Sequence, residues 1–285
     1  MLFRSIVASG NDAAIALAEG MSGTEASFAS AMTHRARDLG LPNSTFRNSY
    51  GWPDPLQRTT MREMAKLADH VIRTYPDFYK IFGQREMTWN KIRQQNRNPL
   101  LAMEFGADGL KTGFIEESGY SLVASATQNG QRLILALSGL KTARDRQTEA
   151  KKILDWGFRN FEVKGLFSAG ASVGEASIYG GAQGSVPLVT KRDIRLPVPR
   201  GTQDRISAKI SYRGPVMAPI EAGVQLGKLQ IFRGTLMVME QPLYTAEAVE
   251  QGTLRQRATD AALELARSLI KSGFQRATTK REPAL

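Results

Sequence analysis

Apolar residues in the first part of the chain recur at helical spacing. Ala14, Leu17 and Ala18 share one face between Asn11 and Gly20, and Phe28 and Met32 continue the pattern as far as Leu39-Gly40-Leu41-Pro42. Ser22 followed by Glu25 reads as a capping box that opens the second of these two helices. The stretch from Asn43 to Thr59 is rich in Asn, Pro, Gly and Ser and reads as a long loop holding Tyr50 and Trp52. Thr60 and Glu63 form another capping box, and Met64, Leu67, Ala68, Val71, Ile72 and Tyr75 then predict a helix that stops at Pro76.

Around residue 108 the period falls from 3.6 to 2. Tyr120 to Gln128 and Gln131 to Ser138 predict two strands, joined by Asn129-Gly130, the preferred pair for a two-residue type I′ hairpin. An amphipathic helix from about Asp145 to Phe161 follows, offering Ile153, Leu154, Trp156, Phe158 and Phe161 to one face. Helices, a hairpin and a helix to cover it describe an α+β domain. After Lys164 short β-type runs, such as Ser185 to Thr190, Ile206 to Tyr212, Lys228 to Phe232 and Thr235 to Met239, are separated by Gly and Pro turns. That texture predicts a small all-β, sandwich-like domain. The organisation expected is residues 1–163, 164–250, and a basic helical tail over 251–285.

Composition narrows the chemistry. There is no cysteine, so disulfides and Cys-based metal sites are excluded, and with His34 and His70 as the two histidines no metal or cofactor is expected. The 38 Lys and Arg against 27 Asp and Glu, a formal net charge of +11, favour anionic partners. No apolar stretch reaches the roughly 20 residues of a membrane-spanning helix.

Two short motifs carry the candidate chemistry. Ser9-Gly10-Asn11 lies where a loop enters a helix, placing a hydroxyl that can pass a proton beside a carboxamide that can anchor an amide. Alone it reads as a helix cap. Lys111-Thr112-Gly113, just before the hairpin, offers a cation, a donor for a carboxylate and a backbone that a peptide can approach. Alone it reads as a surface turn. Together, each on the expected kind of element, they are far more specific.

With these motifs in place, the chain closely resembles the D-alanyl-D-alanine carboxypeptidases, the low-molecular-mass penicillin-binding proteins. The likeness runs through SGNDAAIALAE, ARDLGLPNSTFRN, NKIRQQNRNPLL, DGLKTG, GYSLVASATQNGQRLI and KKILDWGFRNFE. The β-rich part resembles the family's C-terminal associated domain. The fold so implied is a partial β-lactamase/transpeptidase-like catalytic domain, a small all-β domain and a C-terminal helix.

The resemblance assigns roles residue by residue. Ser9 would relay a proton to the leaving D-alanine, Asn11 would hold the substrate amide, and Lys111 would supply positive potential for nucleophile and oxyanion. Thr112 would bind the terminal carboxylate together with Arg146, placed in the loop before the last helix, although Arg144 lies close by. Gly113 would let substrate approach, and the Phe114 N–H would serve the oxyanion hole.

The family's nucleophile sits in a Ser-x-x-Lys motif ahead of Ser-x-Asn, and here eight residues precede Ser9. Ser138 to Lys141 and Ser268 to Lys271 mimic the motif in the wrong places. The expectation is therefore an N-terminally truncated, inactive chain of a periplasmic serine carboxypeptidase. Its partners would be peptidoglycan stem peptides ending in D-Ala-D-Ala and β-lactam inhibitors, with no nucleic acid. Arg255, Arg257, Arg267, Lys271, Arg276, Lys280 and Arg281 suit a peripheral hold on the inner membrane, set against a simple solvated helix. The competing expectation is a non-catalytic protein that binds cell wall or a partner.

Overall fold

The computed structural model describes residues 1–259 and 261, which fall into two compact units, Met1–Glu162 and Val163 onward. The first unit begins with α1 (Leu2–Ile6), α2 (Asn11–Ser22) and α3 (Glu25–Asp38). The predicted second cap is displaced: Gly23 takes φ +76 and ends α2, so Thr24 caps α3, accepting from Ser27 N at 3.1 Å. Ser22 is thus the last residue of α2. Glu25, expected in a capping box, instead accepts from the backbone and hydroxyl of Ser49.

The loop over residues 43–60 leads into α4 (Met61–Thr74), where Thr60 is the N-cap. A short α5 (Pro76–Tyr79), a hairpin of β1 (Glu86–Trp89) and β2 (Ile92–Gln95), and a 3₁₀ turn over Pro99–Ala102 follow. The sequence pattern did not predict these, because each is too short to show a period. Next come β3 (Ala107–Ile115), β4 (Gly119–Gln128) and β5 (Gln131–Leu140), an antiparallel sheet in that order. Asn129 and Gly130 have φ +49 and +75, the mirror-image turn their dipeptide predicts. Nothing lies within 4 Å of a Cβ built on Gly130, so Gly130→Ala pays for its backbone alone. A loss of about 1 kcal/mol is expected, read as a lower urea midpoint at unchanged slope.

The last helix of the unit, α6 (Ala143–Asn160), is capped by Thr142, which accepts from Asp145 N at 3.0 Å. Its buried face is Ala150, Leu154 and Phe158, packed with Leu100, Phe105, Leu122, Ala124 and Ala126. Ile153 and Trp156, expected on that face, are 42% and 56% exposed. The positions at i, i+4 and i+8 from Ala150 leave them to one side.

The second unit is β-rich. Its six-stranded sheet has the order β10-β12-β13-β8-β7-β11, with a separate β6-β9 pair. The strands are β6 (Phe161–Phe167), β7 (Ser172–Tyr179), β8 (Ser185–Val189), β9 (Ile194–Pro199), β10 (Ile206–Tyr212), β11 (Val216–Met217), β12 (Gln225–Arg233) and β13 (Leu236–Thr245). Alternating residues such as Ile194, Leu196 and Val198, or Leu229 and Ile231, bury one face of their strands into a single core. Residues 254–259 and 261 are helical, and the rest of the predicted C-terminal helix, including Ser268 to Lys271, lies outside the described residues.

Candidate active site

Ser9, Asn11, Lys111, Thr112, Gly113, Phe114 and Arg146 all line one cavity of about 800 Å³ in the first unit. Three separate stretches of chain meet there. The first is the turn ahead of α2. Its N-cap is Gly10, so Asn11 is the first helical residue and Ser9 is not the cap. Ser9 instead takes φ +57, an uncommon left-handed conformation for a side-chain-bearing residue. Arg4 holds the turn from outside, accepting from Gly10 N at 3.0 Å and pairing with Asp12 at 2.6 Å. A Cβ on Gly10 would stand 2.9 Å from the Arg4 side chain, so a larger residue here would have to displace that arginine.

The second stretch is β3, an edge strand of its sheet. Lys111 Nζ donates to Ser9 Oγ at 2.5 Å and to the Thr112 carbonyl at 3.1 Å. Burial, then repulsion from Arg97 and Arg146, pushes its ammonium down to about 8. Gly113 packs against the neighbouring strand, where a Cβ would meet Ser121 Oγ at 2.6 Å. Phe114 is half exposed, with its ring 4.3 Å from that of Tyr120.

The third stretch is the start of α6. Arg146 lies inside the first turn of the helix, not in a loop ahead of it, because Thr142 starts the helix earlier than the apolar pattern indicates. It is 9% exposed, lies over the Tyr120 ring at 5.5 Å, and its Nε has no partner. A largely buried guanidinium in the wall of a cavity is suited to a carboxylate. Arg144 is exposed and does not line the cavity.

Tyr50, Trp52, Arg97 and Tyr120 also form the walls, and the exposed Glu116 and Glu117 stand at the rim. Arg97 comes from a polar Asn-Arg-Asn turn with no periodicity, and no sequence signal singles it out. The cavity therefore gathers three cations, a hydroxyl bonded to one of them, a carboxamide and an accessible strand edge. That set can bind a peptide with a terminal carboxylate and pass a proton through Ser9.

Comparison with known proteins gives this arrangement a family. A D-alanyl-D-alanine carboxypeptidase model matches residues 1–142, and a model of the penicillin-binding protein 5 C-terminal domain matches residues 161–251. The D-alanyl-D-alanine carboxypeptidase DacA of Haemophilus influenzae is 40% identical over 79% of this chain and 58% of its own length. DacC of Escherichia coli is 38% identical over 90% of this chain and 64% of its own. The chain thus spans about three fifths of the length of these two relatives. The solved penicillin binding protein 5 of H. influenzae superposes with a TM-score of 0.78 at 36% identity, covering 87% of this chain and 73% of that one. Penicillin-Binding Protein D2 of Listeria monocytogenes, solved in an ampicillin-bound form, reaches 0.51 at 29% identity over 55% of this chain and 65% of that one. The chain belongs to the D-alanyl-D-alanine carboxypeptidase family of penicillin-binding proteins.

Proposed function

We propose that this chain carries the proton-relay and carboxylate-binding half of a serine D-Ala-D-Ala carboxypeptidase active site. The observation that carries the reading is the bond from Lys111 Nζ to Ser9 Oγ, which joins residues 102 positions apart in the sequence. A hydroxyl held by a partly desolvated ammonium is a competent relay, since the lysine can give up and regain a proton near neutral pH. In the acyl-transfer step the substrate strand adds to the edge of β3, and the serine hydroxyl of the family's Ser-x-x-Lys forms an ester with the D-alanyl carbonyl as the C–N bond to the terminal D-alanine breaks. The substrate's terminal carboxylate meets Thr112 and Arg146, its amide meets Asn11, and Ser9 delivers the proton that lets the terminal D-alanine leave. The Phe114 N–H stabilises the oxyanion. The substrate is a peptidoglycan stem peptide, β-lactams act as carboxylate-bearing mimics, and the setting is the periplasm. The basic residues from Arg255 onward favour contact with an anionic membrane surface.

The finer part of the proposal is that the acylating Ser-x-x-Lys is not among these 285 residues. Ser138 lies within β5 and donates to the Ser118 carbonyl at 3.3 Å, so it is not at a helix start with a lysine one turn on. Fluorescent penicillin tests both parts. This chain is expected to take no covalent label, and a version extended upstream through an in-frame Ser-x-x-Lys is expected to label and to lose the label in Ser9→Ala. Labelling of the present chain overturns the missing-nucleophile reading, and an extended chain that stays unlabelled overturns the carboxypeptidase reading in favour of a cell-wall-binding protein.

A further inference from the structure

Asn98 does not line the cavity and is 2% exposed, yet its hydrogen bonds hold segments on either side of Arg97 and just ahead of Lys111. Its amide donates to the Gly109 carbonyl of β3 at 2.8 Å, and its side-chain oxygen accepts from Leu100 N at 3.1 Å, capping the Pro99–Ala102 turn. Its own N–H donates to Asn96 Oδ1 at 2.9 Å, and Asn96 in turn donates to the carbonyls of Phe82 and Gln84. Arg97 sits between these two asparagines and lines the cavity that Lys111 enters from β3.

The same piece of β3 is held by a second set of bonds. Tyr79 donates to Asp108 Oδ1 at 2.6 Å, and Arg132 pairs with Asp108 at 2.7 Å while donating to Ser125 Oγ at 2.5 Å. The Tyr79 hydroxyl fills the space a Cβ on Gly109 would need, at 2.7 Å. Gly109 is therefore enclosed by a phenol and a carboxamide, two residues before Lys111.

Two cations on separate segments repel, and free segments would relax by moving apart. We propose that Asn98 is a positioning residue: by tying β3 at Gly109 to the turn that carries Arg97, it fixes the spacing of two like charges on one wall of the cleft. This rests on the reading of Lys111 as the working cation of the site, and extends it to the residue that keeps that cation pressed toward Arg97. The groups facing Lys111 are Ser9 ahead of α2, Arg97, Arg146 on α6 and Tyr120 on β4, with Glu116 and Glu117 at the rim. Among them Arg97 and Arg146 push its proton off, after burial itself.

The test needs no catalysis. The Lys111 Cε resonance, assigned by its loss in Lys111→Arg, is titrated by ¹³C NMR in Asn98→Ser, which keeps a capping hydroxyl but is too short to reach Gly109. Asn98→Thr is the substitute should the serine variant fail to fold. The wild-type midpoint is expected near 8 and is expected to rise by about one pH unit in the variant. Arg97→Gln is expected to raise it similarly, and the double variant to go no further than Arg97→Gln alone. A variant that loses thermal stability while the midpoint stays put, shifts that add in the double variant, or a wild-type midpoint at the ordinary lysine value would each overturn the proposal. Penicillin labelling, read separately, reports on the carboxypeptidase reading and not on this one.

Discussion

A Lys111→Met variant is expected to be more stable than the wild type at neutral pH, by about 2–3 kcal/mol, while losing tenfold or more in affinity for a carboxylate ligand. Both effects have one origin. The ammonium is partly desolvated and faces Arg97 and Arg146, which brings it down to about 8 from the ordinary 10.5. A group that binds its proton more weakly in the fold than in the unfolded chain opposes folding wherever the unfolded chain keeps that proton. The shift corresponds to about 3 kcal/mol, reduced by the bond to Ser9 that methionine cannot make.

The sign fixes the pH window. The penalty is fully present below about 8, is relieved between 8 and 10.5, and is gone above that. The advantage of Lys111→Met should therefore shrink as the pH is raised through this interval. Tyr79 acts in the opposite sense: burial and the bond to Asp108 push its phenol above the ordinary 10.0, so its contribution is kept below that value and lost above it. Because Tyr79 is common to both proteins, it cancels from their difference. Chemical denaturation of wild type and variant at pH 7, 8.5 and 10 measures the window directly. An advantage that is independent of pH would mean the lysine is not desolvated.

How much of this could be read beforehand depends on the range over which each feature is encoded. Asn129-Gly130 specifies its turn within two residues, and the β4–β5 hairpin follows where the dipeptide places it. Thr60 and Thr142 act as helix caps through the hydroxyl-to-N–H bonds expected of that residue type. Ser22 and Thr24 both fit a cap pattern, and the choice between them is made by the left-handed Gly23, which the hydrophobic spacing does not show. The site motifs were legible as motifs, because Ser-x-Asn and Lys-Thr-Gly are contiguous. Their supports were not: Asn98 to Gly109, Tyr79 to Asp108 and Asn43 to Glu63 are pairings of isolated polar residues with no period to mark them. Arg97 and Tyr120 enter the cleft for the same non-local reason.

Glu63 is the polar support whose removal should be felt most widely. The helix-capping pattern predicts that its side chain turns back toward Thr60, as in a capping box, whereas the carboxylate is 3% exposed and serves the long loop. One oxygen accepts from the backbone N–H of Asn43 at 3.0 Å and its side-chain amide at 2.9 Å. The other accepts from the buried Ser44 hydroxyl at 2.5 Å. Burial pushes this carboxyl up, but the bonds from Ser44 and Asn43 together with the charge of Lys66 outweigh it, so the group stays below the ordinary 4.5. Glu63→Ala removes the acceptor that ties Asn43 and the buried Ser44 hydroxyl to α4, in the loop that brings Tyr50 and Trp52 to the cavity. A fall in Tm on the order of 10 °C is expected. Faster tryptic cleavage at Arg47 or Arg58 should accompany it, as the loop loses its anchor. Glu63→Gln separates charge from shape, since the amide keeps one acceptor but turns its own donors toward Asn43 or Ser44. Because the wild-type carboxyl is held low, its contribution is complete above pH 4.5 and is lost as the pH falls through the lowered value, so acid should narrow the gap between wild type and Glu63→Gln. A gap that is constant down to pH 3, or a loop no more easily cleaved in Glu63→Ala, would place the anchor elsewhere in the loop, in the Glu25 bonds to Ser49 or the Thr33 pairing with Phe46.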